Sequence, residues 1–220
     1  MNQILKPCGR LSLCAKMVRE GSRLADIGTD HGYLPIALCR SGKIPSALAC
    51  DINPLPLQSA HENIAKYNLS DKIETRLSDG LQKIHPDEAS DIVIAGMGGE
   101  LIRDILVAAS WVKDREKHLV LQPMTRHEDL VKWLYESGFC IKRQEAVLDE
   151  GKYYTVISAH YTGETQACDL YTAIVGKLNV EDKNSKGFLS RSLQNLRNKS
   201  KGDTALLPVV KQLEDAIHED

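Results

Sequence analysis

Arg23-Leu-Ala-Asp-Ile-Gly-Thr-Asp-His-Gly-Tyr-Leu-Pro35 decides the fold of this chain. An apolar run ends on an acidic residue, passes through a glycine turn and enters a helical pattern. The next apolar run, Ala47-Leu-Ala-Cys-Asp51, also ends on an acid. Strands that finish on carboxylates and alternate with helices predict an open α/β sheet with a nucleoside pocket along its carboxyl edge.

The same alternation continues outward from this stretch. Helical apolar spacing at 11, 14, 17 and 18 predicts an N-terminal helix over 11–20, with Gly21 as its stop. Strands are expected at about 23–27, 46–50, 73–78, 91–95 and 119–122. Helices are expected at 33–41, 55–67, 101–109 and 129–136. The spacing then changes. Two strand-like runs, 139–147 and 153–160, leave only Leu148–Lys152 between them, which suits a hairpin and is too short for a helical crossover. One of the last two strands should therefore run antiparallel to the rest. Beyond the Thr162-Gly163 turn, residues 169–220 read as helices in two or three pieces. Leu189, Leu193 and Leu196 form one apolar stripe; Leu206, Val209, Val210, Leu213 and Ile217 form another, and together they suggest a helical hairpin. A catalytic unit over 1–162, with residues 1–21 as a basic N-terminal helix, and a helical extension over 163–220 are the expected divisions.

Composition narrows the classes. With 42% hydrophobic and 26% charged residues the chain resembles a folded globular protein. No apolar run approaches the ~18 residues of a membrane span, and residues 1–10 lack the apolar core of a signal peptide. A cytoplasmic protein without membrane contact is expected. The six cysteines (8, 14, 39, 50, 140 and 168) form no Cys-x-x-Cys pair, which argues against structural zinc, and no metal is expected. Cys39, Cys50 and Cys140 lie in apolar runs and read as reduced core residues. The formal net charge is only −2, but basic residues cluster. Lys6, Arg10, Lys16, Arg19 and Arg23 face a single acid, Glu20, near the N-terminus. Lys183, Lys186, Arg191, Arg197, Lys199 and Lys201 occupy 183–201 with no acid at all. Such segments serve either as solvated helix faces or as phosphate contacts.

Within the opening stretch, Asp26, Gly28, Thr29, Asp30, Gly32 and Tyr33 are the first candidate binding residues. The turn lacks the middle glycine of a dinucleotide fingerprint and puts Asp30 where a pyrophosphate would sit. Asp51, followed by Ile52, is placed to accept from a ribose diol. Asp79-Gly80 ends the third strand and can accept from an adenine amino group. Three acidic strand ends suit a cationic sulfonium nucleoside without phosphates better than a phosphate-bearing dinucleotide. Ala95-Gly96-Met97-Gly98-Gly99-Glu100 reads as a loop able to lie against a flat ligand. Gln122-Pro123-Met124-Thr125-Arg126-His127 reads as a second polar loop on the same edge.

Asp26-Ile-Gly-Thr-Asp-His-Gly-Tyr-Leu-Pro35, Ile94-Ala-Gly-Met-Gly-Gly-Glu100 and Leu121-Gln-Pro123 resemble the bacterial tRNA adenine-22 N1-methyltransferase family over about residues 9–160. The helical tail resembles that family's C-terminal, coiled-coil-like extension more weakly. Typical members carry an Asn-Val type sequence where this chain has Met124-Thr-Arg-His127. The resemblance implies a Rossmann-like class I methyltransferase fold, with a seven-stranded, mostly parallel sheet and one antiparallel strand. It also implies methyl transfer from S-adenosylmethionine, leaving S-adenosylhomocysteine, to N1 of an adenine in the D-loop region of tRNA. Asp26, Gly28, Thr29, Asp30, Gly32, Tyr33, Asp51, Ile52, Asp79, Gly80, Ala95, Gly96 and Met97 would hold the cofactor. Arg10, Gly98, Gly99, Gln122, Pro123, Tyr154, Lys186, Arg191 and Arg197 would meet the RNA. Asp30, then His31, are the candidates for a carboxylate or base beside the reacting adenine, and Tyr33, Met97 and Tyr154 could form a platform for a flipped base. A monomer is expected, with a dimer left open. Methylation of another RNA site or of a small molecule, a non-catalytic RNA-binding module and a nicotinamide oxidoreductase are the competing readings.

Overall fold

The computed structural model describes residues 9–218. The part of the N-terminal basic segment that contains Lys6 and Cys8 lies outside them. The elements follow in the order α1 (Gly9–Met17), β1 (Arg23–Ile27), α2 (Tyr33–Arg40), β2 (Ser46–Asp51), α3 (Pro54–Lys66), β3 (Ile73–Leu77), β4 (Asp91–Gly98), α4 (Gly99–Ala108), β5 (His118–Thr125), α5 (His127–Glu136), β6 (Phe139–Asp149), β7 (Lys152–Tyr161), α6 (Leu170–Val175), α7 (Lys183–Ser200) and α8 (Leu207–His218).

Seven strands make one sheet in the order β3-β2-β1-β4-β5-β7-β6. The pairs from β3 through β5 are parallel, with Asp26 opposite Ala49 on one side and Val93 on the other. β7 is the reversed strand, antiparallel to both β5 and β6. The chain first builds outward from β1 to β3 and then returns to lay β4 on the opposite flank of β1. This reversal opens a crevice between the carboxyl ends of β1 and β4, where open α/β sheets bind ligands.

Both sheet faces are covered, so the inner strands carry apolar residues on both sides. Ala25, Ile27, Ile92, Ile94, Leu119 and Leu121 point to one face and pack against Ile102 and Leu106 of α4 and Leu130 and Leu134 of α5. Leu24, Val93, Val120 and Val156 point to the other, under Leu13 of α1, Leu34 and Ile36 of α2, and Ile64 of α3. The tail has its own apolar cluster, in which Leu189, Leu193 and Leu196 of α7 meet Val210 and Leu213 of α8. This cluster also takes in Ile174 of α6 and Ala146 of β6, so the helical hairpin is seated on the last two strands.

Three expectations are corrected. β4 does not stop at Ala95, and β5 does not stop at Gln122; their ladder continues through Met97 opposite Pro123 and Gly98 opposite Thr125. The glycine stretch continues as strand because Gly96, at φ +79°, forms an irregularity that resets the register and lets pairing resume. α1 ends at Met17, short of Glu20, because the next turn is pinned elsewhere: the Arg19 backbone N–H donates to Asp91 at 2.8 Å. Cys140 is half-buried, whereas Cys14, Cys39, Cys50 and Cys168 are buried; all five are free thiols.

Asp91 is fully buried at the start of β4. Its carboxylate accepts from Arg19 Nε at 2.7 Å and faces His118 Nδ1 at 2.9 Å, while His118 Nε2 meets Ser158 Oγ at 2.8 Å. Burial raises its pKa, but the bonds from His118 and Arg19 outweigh burial and hold the carboxyl below its usual value. The stability this gives is present above the ordinary carboxylate pKa and is lost below it, as pH falls through the lowered folded value. Asp91→Ala removes the acceptor of the Arg19 N–H and Nε and of His118 Nδ1 and should cost about 1–3 kcal/mol in a urea denaturation at pH 7, with a smaller deficit near pH 2, below the ordinary carboxylate value.

Candidate active site

The turn after β1 is stitched to the end of β2, since the Gly28 and Thr29 N–H groups both donate to the Cys50 carbonyl, at 2.8 and 2.9 Å. Gly28 takes φ +76°, and a Cβ there would run into Cε of Met97 from β4. Glycine is favoured by the left-handed backbone, and a Cβ would also displace the Met97 methyl group. Asp30 also stands in the left-handed region, at φ +51°, and the chain then enters α2 through Gly32. A cleft of about 350 Å³ opens here. Arg10, Asp26, Gly28, Asp30, Tyr33 and Gly96 line it, with Thr29 and Ala95 beside them.

Asp26 sits at the floor, only 5% exposed, and accepts from Thr29 Oγ1 at 2.7 Å. Burial pushes its pKa up to about 6; the Thr29 bond works against that rise and the neighbouring Asp51 charge adds to it. A buried carboxylate so disposed favours a cation as neighbour. Asp51 is buried at the end of β2, with one oxygen accepting from the Asn53 N–H at 2.8 Å. Ile52 is 58% exposed beside it, an apolar surface at the rim. Asp79 follows β3, is exposed, and accepts from Gln82 Nε2 at 3.1 Å. It borders a separate hollow of about 190 Å³ with Leu101 and Ile105 of α4, and Gly80, at φ +54°, packs against Ile105. The three acids thus occupy consecutive carboxyl ends, but Asp79 lines a different recess from Asp26.

The opposite wall is made by β4 and β5. Gln122 is fully buried. Its Oε1 accepts from the Gly96 N–H at 3.1 Å and from Arg10 at 3.4 Å, while its Nε2 donates to the Pro123 carbonyl at 3.0 Å. Sequence placed Gln122 and Pro123 on an acceptor-facing loop; both are buried strand residues, and the Gln122 amide is engaged in holding the Gly96 irregularity. Gly99 is also buried, so close to the Arg126 carbonyl that no Cβ fits, while Gly98 lies by Thr125 Oγ1.

Arg10 and Met124 connect this wall to the cleft. Arg10 Nε donates to Asp149 at 2.8 Å, its NH1 reaches Met124 Sδ at 3.2 Å, and its guanidinium lies 5.4 Å from the Tyr154 ring centre. Met124 and Leu11 line the cleft and were not singled out from sequence. The signal for Met124 was its place in a run that departs from the family pattern; Asp149, at a hairpin tip, gave none. His31 is outside the lining: its ring lies 3.6 Å from the Asp30 carboxylate and 5.2 Å from the centre of Tyr33. Tyr33 is 36% exposed, and Met97 packs on the core. In the tail, Lys186 pairs with Glu181 at 3.5 Å and Arg197 with Glu214 of α8 at 2.8 Å, while Arg191 is exposed. Among the described residues no group of three or more His, Cys, Asp or Glu is placed to hold a metal ion, and no helix is long and apolar enough to cross a membrane.

A seven-stranded sheet of this order, with a carboxylate-lined crevice at its point of reversal, is a Rossmann-like methyltransferase architecture. Residues 8–157 match the model of a methyltransferase domain. A tRNA (adenine(22)-N(1))-methyltransferase of Bacillus subtilis is 34% identical over 90% of this chain and 84% of its own length. The crystal structure of the B. subtilis m1A22 tRNA methyltransferase TrmK superposes with a TM-score of 0.82 at 28% identity, covering 97% of this chain and 96% of that one. Sp1610 of Streptococcus pneumoniae, solved in complex with S-adenosyl-L-methionine, gives a TM-score of 0.85 at 30% identity, covering 95% of this chain and 98% of its own. The chain belongs to the tRNA (adenine(22)-N(1))-methyltransferase family.

The Asp26 environment carries a testable cost. A carboxyl whose pKa is raised on folding destabilises the fold as pH rises from the unfolded value of 3.8 through about 6. Asp26→Asn keeps an acceptor for Thr29 and removes the charge. It should raise the melting temperature of the ligand-free protein at pH 7.5, raise it by about half as much at pH 5, and change it little below the unfolded value of 3.8, as read by differential scanning calorimetry.

Proposed function

We propose that the protein uses S-adenosylmethionine to methylate N1 of adenine 22 in tRNA, working as a monomer in the cytoplasm. The observation that carries this reading is the run of acids Asp26, Asp51 and Asp79 at successive strand ends beside a glycine turn, within a chain of this family. The residues fit the cofactor. The Gly28 turn, at φ +76°, brings bare backbone to the cleft, Asp26 is a buried carboxylate suited to a cationic neighbour, and among the described residues the lining carries no cluster of positive charge for a pyrophosphate. When bound, the cofactor supplies an electrophilic sulfonium methyl group.

The chain's own contribution is binding, alignment and electrostatics. Asp51 has a second carboxylate oxygen for a ribose diol, and the exposed Ile52 side chain is suited to lie on an adenine face. Asp79 is suited to accept from the adenine amino group. Asp26 favours the amino end of the cofactor, and Arg10, fixed by Asp149 and Gln122, directs positive charge into the same cleft for a carboxylate. Adenine N1 already carries a lone pair, so the main requirement is to hold it in line with the methyl group and exclude water. Methylation leaves positive charge on the ring. Asp30, 68% exposed at the cleft mouth, can stabilise that charge or take a proton from the exocyclic amine. The His31 ring stands 3.6 Å from the Asp30 carboxylate. Tyr33 and Tyr154 offer aromatic surface to a flipped base. The exposed cations of α7 then hold phosphates, so RNA binding should weaken steeply with salt.

The deciding measurement is methyl transfer from labelled cofactor to unmodified tRNA, followed by nucleoside mass spectrometry. N1-methyladenosine is the expected product, and its absence from tRNA that has been exposed to cofactor-loaded protein would refute the assignment. Asp51→Ala should weaken cofactor binding by ~10–100-fold, the range of a lost hydrogen bond to a charged group. An unchanged affinity in a calorimetric titration would remove Asp51 from the ribose role.

A further inference from the structure

A second cavity, of about 320 Å³, lies between α5, α6 and α7 and belongs to none of the machinery above. Its size falls in the ~300–1,000 Å³ range of small-ligand pockets. Helix α7 explains how it forms. The stripe Leu189, Leu193, Leu196 is the buried seam of the hairpin. The adjacent stripe at Phe188, Ser192, Asn195 and Lys199 has the same helical spacing, and all four line the cavity, with Phe188 also packing against the hairpin's apolar cluster.

The lining is graded from apolar to polar. Ile174 and Leu196 are buried at its base, and Phe188 is half-buried, its ring edge-on to His127 with centres 5.1 Å apart. His127 itself is anchored by Thr155 Oγ1 at 2.8 Å and Gln144 Nε2 at 3.3 Å, which holds the Phe188 ring against a rigid neighbour. Burial lowers the His127 pKa to about 4, so the ring is neutral near pH 7. The outer rim consists of Asn195, Asn198 and Lys199, all exposed, with the Glu128 carboxylate opposite on α5. His127 opens α5 directly after Arg126, the residue whose carbonyl abuts Gly99. The cavity therefore adjoins the carboxyl edge of the sheet, and Lys199 continues the acid-free basic run of α7.

We infer that this cavity is an RNA subsite that takes an unpaired nucleobase other than the one methylated. A flat ring matches Phe188, and each Asn carboxamide offers both a donor and an acceptor to a base edge. Glu128 can accept from an exocyclic amine and would repel a phosphate, which puts the base inside and leaves the backbone at Lys199. Sequence-dependent RNA contacts are commonly made this way, by unstacked bases on aromatic rings with amide bonds to their edges. The subsite rests on the proposed tRNA reading and deepens it, since it would orient the tRNA relative to the cleft by something other than charge.

The test measures binding of an unmodified, fluorescently labelled tRNA by anisotropy across a salt series, so that it does not depend on methyl transfer. Asn195→Ala/Asn198→Ala, both surface changes, should weaken binding about tenfold, within the ~1–3 kcal/mol of a good amide–base pairing. The slope of log affinity against log salt should stay at the wild-type value. Phe188→Leu, which keeps apolar bulk, should weaken binding several-fold, again without changing the slope. Arg191→Ala/Lys201→Ala should instead reduce the slope by roughly one to two, as expected for lost phosphate contacts. Cofactor affinity, measured by calorimetry, should be unaltered in all variants and reports an intact fold. Affinities within twofold of wild type for both the asparagine and phenylalanine variants would overturn the subsite. So would a reduced salt slope in the asparagine variant, which would make it a phosphate contact. Failure of the wild-type protein to bind tRNA would overturn it as well. Binding without methylation would instead count against the proposed activity and leave the subsite standing.

Discussion

The carboxyl edge of this sheet depends on one buried amide. Gln122 is sealed from solvent at the point where the β4–β5 ladder would otherwise break, and its oxygen accepts the N–H of Gly96. Gly96 itself is exposed at the cleft, and the Gln122 side chain takes its N–H from the interior side, which helps to hold the irregularity in place. The consequences spread outward. Pairing resumes at Met97 and Gly98, which carries Met97 Cε to the surface of Gly28 and fixes the separation of the two walls of the cleft. The same oxygen accepts from Arg10, tying the end of α1 to the centre of the sheet.

Around this joint the molecule separates charge by sign and place. Carboxylates gather at the carboxyl ends of β1, β2 and β3. Arg10 is the cation in that cleft lining, and it is restrained by Asp149 from the β6–β7 hairpin. An acid-free basic run lies apart from it on α7, a helix seated on β6 and β7. A cationic nucleoside and a polyanionic RNA would thereby be drawn to different parts of one surface, which limits competition between them. Asp26 bears the cost of this arrangement, since burial, with the Asp51 charge adding to it, raises its pKa to about 6 and makes its charge at neutral pH unfavourable without a positive neighbour.

At the amino edge the Asp91 cluster plays the complementary structural part. It joins the turn after α1 to β4, and through His118 and Ser158 it reaches the antiparallel β7. Polar networks of this kind are favourable only when every member is satisfied, and here each bond crosses between different elements. The sheet is thus pinned at one end by ions and at the other by the Gln122 amide, with apolar packing on both faces between.

Local pattern in the sequence was enough for element type and order. Asp26-Ile-Gly-Thr-Asp at a strand end, the five-residue gap at 148–152 and the stripes of 189–217 specify a parallel sheet, a reversed strand and a helical hairpin, because periodicity and turn chemistry are short-range properties. Asp26, Asp30, Tyr33 and Gly96 could likewise be named in advance as residues of one site, since the sheet's topology brings successive carboxyl ends together. The sequence could not tell that Gln122 and Pro123 are interior, that Gly96 to Gly98 are strand, or that Asp91 is paired with Arg19 and His118. Nor could it tell that Arg10 and Met124 share the cleft with Asp26, or that Phe188 meets His127 across a cavity. These features join residues about 25 to 140 positions apart, and their partners follow from ladder register and helix docking. Only the tertiary structure decides those, because a contact between distant segments leaves no periodicity in either of them.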